Sequence, residues 1–231
     1  MKAQDFFRAV FYDLDGLMVD TEYLYLQVLQ IMFERRGLHI PEEMMKHLVG
    51  YDVPTNLRDL KAKYNLNDSF EALLEERQKL HDEVFSKTPI EAMEGFWELD
   101  AEARRQNMKR AIVTSSKRRH LELVLSSLFA ANPQLGDYRS HFDALVCEED
   151  VARTKPAPDL YLCAAQRVDF APEQCLAFED SPAGLQAASA AGVPCVAVRS
   201  PYIPVEQYIG ARAVVNSLRE AAPFLRNGRE I

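Results

Sequence analysis

Cysteine is scarce in this sequence and widely spaced. The four cysteines, Cys147, Cys163, Cys175 and Cys195, include no C-x-x-C pair, and the five histidines include no H-x-x-x-H. A zinc site is therefore not expected. Cys175 and Cys195 each sit beside apolar, strand-like residues, where a reduced buried thiol is the ordinary reading. Basic residues are in deficit as well: 27 Lys and Arg against 35 Asp and Glu give a formal net charge of −8. Nucleic-acid-binding surfaces are normally basic, so no nucleic-acid partner is expected. Phosphorylated small molecules stay open, because a local cation overrides a weak global field. No apolar stretch is long enough to span a bilayer, and no early segment joins a basic head to a long apolar run. The expectation is a soluble, cytoplasmic protein with no membrane partner. Low-complexity tracts are absent too.

What is present is a chain of 231 residues with 48% hydrophobic content. That is enough for one large domain, or for a core domain carrying a smaller inserted one. The most informative segment is Ala9-Val10-Phe11-Tyr12-Asp13-Leu14-Asp15-Gly16. An apolar β-type run delivers two carboxylates, one residue apart, into a glycine turn. Alternate residues of a strand share a face, so Asp13 and Asp15 could point the same way as the strand ends. Two like charges held that close repel unless a cation sits between them or one carries a proton. An acidic surface turn is the plain alternative. A calcium loop would need Gly at its sixth position and Glu at its twelfth, where this chain has Met18 and Leu24, so that reading fails.

The helical spacing of Leu24, Val28, Ile31 and Met32 predicts a helix over 21–37, ending near Gly37. Pro41 opens a second helix to about Val49, Gly50 breaks it, and Pro54 begins a third lasting to about Tyr64. Asp68 and Glu71 form a candidate capping box for a helix running through Ser86. This whole stretch reads as a small helical bundle. Beyond Pro89, helices near 96–107, 117–129, 158–168 and 182–191 alternate with strands at 111–114, 144–147, 175–179 and 194–198. A polar loop is expected over 131–141, and 213–215 can add a last strand before a final helix. Such alternation implies an α/β fold, a parallel sheet covered on both faces. Ligands of such sheets gather outside the carboxyl ends of the strands.

Several polar residues fall at those ends. Thr114-Ser115-Ser116 closes one strand before a helix, where hydroxyls and backbone N–H groups can receive phosphate oxygens or simply cap the helix. Lys155 sits in Thr154-Lys155-Pro156-Ala157-Pro158-Asp159, whose prolines stiffen the backbone and fix where the ammonium points. Glu179-Asp180-Ser181-Pro182-Ala183-Gly184 follows an apolar run. Its adjacent acids suit a hard cation, or else an Asp N-cap with helix-terminal charge.

Together these segments resemble the four motifs of the haloacid dehalogenase superfamily, over nearly the whole chain. Asp13-Leu14-Asp15-Gly16 resembles the first, Thr114-Ser115 the second, Lys155-Pro156 the third and Glu179-Asp180 the fourth. The resemblance implies a Rossmann-like core (1–17 and 89–231) with an inserted all-helical C1 cap (18–88). It further implies that Asp13 attacks phosphorus and that Asp15 protonates the leaving oxygen, then activates water. Mg²⁺ would be held by Asp13, the Asp15 carbonyl and Asp180, with Glu179 adjacent. Thr114, Ser115 and Lys155 would hold the phosphoryl group.

Within the superfamily the chain is most similar to the β-phosphoglucomutase-like group, including its pseudouridine-5′-phosphate phosphatase type. That similarity makes Thr21 a hinge residue and 47–54, with Gly50, a specificity loop. Arg118 becomes a candidate substrate contact, although a solvated basic helix start explains it too. The group's sugar-phosphate mutases carry an arginine where this chain has Val53. A mutase must hold a second phosphate while its intermediate reorients, so that departure favours hydrolysis of a small phosphorylated sugar or nucleoside monophosphate. Isomerisation of a hexose phosphate is the second reading, and a catalytically idle binding protein on the same fold is the third.

Overall fold

Ala9, Val10, Phe11 and Tyr12 are all fully buried, and they form the innermost strand, β1 (Ala9–Tyr12). A strand sealed on both faces reads as a continuous apolar run, as this one does. The structure, a computed structural model, describes residues 7–48 and 53–226. After β1 come four helices, α1 (Glu22–Glu34), α2 (Glu42–Leu48), α3 (Val53–Lys63) and α4 (Phe70–Lys87). Then follow α5 (Phe96–Arg105), β2 (Lys109–Val113), α6 (Arg118–Ala130), α7 (Tyr138–His141) and β3 (Ala144–Val146). The chain closes with α8 (Asp159–Val168), β4 (Cys175–Glu179), α9 (Pro182–Ala190), β5 (Cys195–Val198), β6 (Ala213–Val215) and α10 (Leu218–Arg226).

The strands form one sheet in the order β3-β2-β1-β4-β5-β6, with every pairing parallel. This is the α/β, Rossmann-like fold that the alternation of elements implies. The chain moves outward from β1 to β3, then returns to β4 and moves outward the other way. The reversal falls between β1 and β4, where open α/β sheets keep their ligand crevice. The register pairs Phe11 with Ala177 and Tyr12 with Phe178. The next residues on those two strands, Asp13 and Glu179, therefore leave the sheet side by side.

Alternation along β1 sorts its two faces. Ala9 and Phe11 pack with Tyr161 and Ala164 of α8 and with Leu185 of α9. Tyr12 turns to the other side, with its ring 5.1 Å from that of Phe96 on α5. Each large apolar side chain buried this way contributes about 1.5–3 kcal/mol relative to exposure.

The chain divides into two compact units, Met1–Asp20 with Ile90–Ile231, and Thr21–Pro89. The first runs past the expected residue 17 because Val19 bridges both Asp15 and Ala92, tying the outgoing and returning segments together. In the second, α1 buries Leu24, Val28 and Met32, one helical turn apart. Tyr25 meets Phe85 of α4 at 5.2 Å between ring centroids.

Two local expectations need correction. Ser69, not Asp68, caps α4, with its hydroxyl accepting from the Ala72 amide at 3.1 Å. Asp68 turns away because Arg36 donates to it at 2.9 Å. The polar stretch 131–141 is not plain loop; it holds a 3₁₀ turn, Pro133–Leu135, and α7, started by the Asp137 carboxylate accepting from the Arg139 amide. All four cysteines are free thiols.

Replacing Ser69 by Ala is expected to lower unfolding free energy by about 1 kcal/mol, measured by chemical denaturation. Asp68→Ala should cost less, because its charge is largely solvated.

Candidate active site

Every N–H of the Lys155 ammonium has an acceptor on a different strand. Its Nζ lies 2.6 Å from Asp13 Oδ1 at the tip of β1 and 2.6 Å from Glu179 Oε1 at the end of β4. It also donates to the Val113 carbonyl of β2 at 2.8 Å. The side chain is only 5% exposed. An ammonium offers three donors, and here all three are used.

Burial raises the Asp13 carboxyl to about 7, with the Glu179 charge adding to that rise and Lys155 opposing it. Burial alone would lower the Lys155 ammonium, but Asp13 and Glu179 outweigh it and hold the group above its ordinary value. Glu179 is further held by the Tyr161 hydroxyl at 2.5 Å and the Ser181 hydroxyl at 3.1 Å. Burial, then the Glu179 charge, push the Tyr161 phenol well above its usual range, so it stays a donor.

Asp13, Glu179 and Asp180 each offer a carboxylate oxygen, and these oxygens lie within 4.8 Å of one another. Three hard oxygen donors converging in a buried place suit a hard divalent cation. The surrounding backbone is shaped to that cluster. Gly16 has φ of +83°, and a Cβ there would stand 2.2 Å from Asp180 Oδ2. A Cβ on Gly184 would stand 1.9 Å from Glu179 Oε2. Both glycines admit carboxylates where any side chain would collide. Asp180 is anchored through its carbonyl, which accepts from the Tyr208 hydroxyl at 3.0 Å.

Asp15 belongs to a second, separate set of bonds. Ser116 Oγ donates to its Oδ2 at 2.8 Å, and His120 Nε2 lies 2.8 Å from its Oδ1. Strand alternation does not place it, because β1 stops at Tyr12. A tight turn does so instead: the Met18 and Val19 amides donate to the Leu14 carbonyl, and the Gly16 amide donates to Val19.

The remaining expected residues are distributed as follows. Thr114 is buried at the β2 tip, and its Oγ1 accepts from the Ser116 amide at 3.0 Å. Ser115 is exposed beside it. Arg118 is turned to other partners, its guanidinium donating to Asp150 at 2.5 Å and its amide to Glu149. Thr21 is fully buried and stands at the N-cap position of α1 without a side-chain capping bond. Gly50 lies outside the described residues. His120, Tyr161 and Tyr208 were not anticipated, and Ser116, expected only as part of a phosphate-receiving or capping segment, instead donates to Asp15. The one available signal was a histidine in the first turn of the helix that follows a hydroxyl-rich strand tip.

A family model described as haloacid dehalogenase-like hydrolase matches residues 10–198. The chain belongs to the haloacid dehalogenase-like hydrolases. It is 31% identical over 217 residues to a Drosophila melanogaster protein named a probable pseudouridine-5′-phosphatase, covering 92% of this chain and 90% of that one. It is 28% identical over 190 residues to the phosphorylated carbohydrates phosphatase of Thermotoga maritima, covering 80% and 82%. Among solved structures of the family, a hydrolase from Deinococcus radiodurans with bound phosphate and sodium superposes with a TM-score of 0.74 at 28% identity. That match covers 94% of each chain. In this chain Asp13, Glu179 and Asp180 sit at strand ends, in a cluster able to hold a divalent metal. No helix among the described residues is long and apolar enough to cross a membrane.

Gly184→Ala is expected to displace the Glu179 carboxylate from Lys155. Hydrolytic turnover should fall by about a hundredfold, given how steeply catalysis depends on sub-ångström placement. Steady-state rates, alongside a thermal melt, check this.

Proposed function

We propose that the chain hydrolyses a small phosphomonoester, a sugar phosphate or nucleoside monophosphate, through an aspartyl-phosphate intermediate on Asp13. The observation that carries this reading is the division of two nearby carboxyls between two sets of partners. Asp13 is clamped to a buried cation, and Asp15 is held by a hydroxyl and an imidazole. Different environments give two like groups different roles, here nucleophile and acid–base.

In the first step an Asp13 oxygen bonds to phosphorus while the ester P–O bond breaks, and the departing oxygen takes the proton of Asp15. In the second, Asp15 removes a proton from water as its oxygen attacks phosphorus. Asp13 is released and inorganic phosphate is formed. Lys155, Thr114 and Ser115 would supply the donors that charge on the phosphoryl oxygens needs.

The Asp13, Glu179 and Asp180 carboxylates fit a divalent cation; Mg²⁺ would be held by Asp13, Asp180 and, as the family resemblance implies, the Asp15 carbonyl, with Glu179 adjacent. When bound, such an ion supplies positive charge against the phosphoryl group. The relatives named as phosphatases of pseudouridine 5′-phosphate and of phosphorylated carbohydrates support this substrate class. Val53, where the mutases carry an arginine, favours water over a second hydroxyl as acceptor.

Asp13→Asn should keep the fold, seen by circular dichroism, and lose roughly a thousandfold or more of turnover on a panel of phosphorylated metabolites with Mg²⁺. Free phosphate, rather than an isomer of β-glucose 1-phosphate, should be the product. Full activity in Asp13→Asn ends this reading.

Mg²⁺ should also raise the melting temperature, by the equivalent of about 2.7 kcal/mol at a hundredfold excess over Kd. A carboxyl raised in the folded protein stabilises it below its unfolded value, and that contribution is lost as pH rises through the folded value, here from near 4 to about 7. Metal binding needs the ionised form, so the gain on adding Mg²⁺ should be larger at pH 8 than at pH 6. Asp180→Asn should abolish it.

A further inference from the structure

We infer that His120, seconded by Ser116, is a positioning residue that fixes the orientation in which the Asp15 carboxyl meets the leaving oxygen. This rests on the acid–base role proposed for Asp15. Each oxygen of that carboxyl has its own anchor: Ser116 Oγ on Oδ2 and His120 Nε2 on Oδ1, both at 2.8 Å. Two anchors on two oxygens fix the plane of the group, which a single bond would leave free to turn. The pair is well sheltered, with the His120 side chain 7% exposed and that of Asp15 17%.

The anchors are themselves fixed. His120 stands in the first turn of α6, which buries Leu121, Val124, Leu125 and Leu128. The Ser116 amide donates to Thr114 Oγ1, and the Ser116 carbonyl accepts from the Glu148 amide at 3.1 Å. The Thr114 amide in turn donates to the Val146 carbonyl of β3. Asp15 lies on a turn and has no rigid element of its own, so its carboxyl takes its orientation from β2, β3 and α6. A general acid contributes in proportion to how well it is aimed.

A positioning role differs from a structural one in its dependence on the leaving group. Phenyl phosphate and p-nitrophenyl phosphate are close in shape, but p-nitrophenolate departs without a proton and phenolate benefits from one. The ratio kcat/KM reports steps up to formation of the phosphoenzyme, where Asp15 acts as acid. His120→Ala is expected to lower kcat/KM for phenyl phosphate about 10- to 100-fold and that for p-nitrophenyl phosphate less than about threefold. His120→Gln, whose amide reaches the position of Nε2, should recover most of the loss. Ser116→Ala provides the same comparison if His120→Ala does not fold.

An equal fall for both esters, or no fall, overturns the inference. Asp15→Asn separates the two layers of the argument. If it lowers both esters equally, the acid role of Asp15 fails and takes this inference with it. If it is selective for phenyl phosphate while His120→Ala is not, only the role of His120 falls.

Discussion

The site depends on one ammonium group with three acceptors. Buried carboxylates at the tips of adjacent strands repel, and in a poorly solvated place that repulsion is strong. Lys155 reaches between β1 and β4, takes one oxygen from each of their acids, and completes its set on the β2 carbonyl of Val113. It therefore joins the three central strands at their carboxyl ends. Without that cation, the Glu179 charge beside Asp13 would go unopposed, and the Asp13 carboxyl would rise further. Burial still keeps the Asp13 carboxyl high, at about 7. Under the proposed function this local disadvantage has a use, since a desolvated carboxylate suits attack on phosphorus.

Around this clamp the chain assigns its acids by neighbour, not by type. Glu179 is held by Lys155, Tyr161 and Ser181. Asp180 stands against a glycine whose missing Cβ leaves it room. Asp15 is drawn toward α6. Four acids within a short reach of one another thus have four different environments, and chemistry follows from the differences.

The fold was legible because its signals are repetitive. An apolar run followed by a helical period, five times over, leaves few alternatives to a parallel sheet, and β1 through β5 lie within a few residues of their expected positions. The identity of the strand-tip residues was legible for the same reason, since a strand end is visible in sequence. What could not be read was the partnership of side chains brought together from distant segments. Asp15 and His120 are 105 residues apart, and Lys155 and Asp13 are 142 apart. No local pattern encodes such a meeting. Asp68 shows the same limit on a small scale: Arg36, 32 residues away, takes its carboxylate, and Ser69 caps the helix instead.

Val19 bridges Asp15 on one side and Ala92 on the other, and the Met93 amide donates to the Met18 carbonyl at 2.8 Å. The chain thus leaves the sheet-bearing unit and re-enters it at a stapled pair of points. Everything from Thr21 to Pro89 is an excursion with a closed base. Because closing a loop depends only weakly on its length, such a base accepts segments of different size at little cost to the sheet-bearing unit. A change in the length of that excursion therefore leaves β1 and the turn after it held as they are.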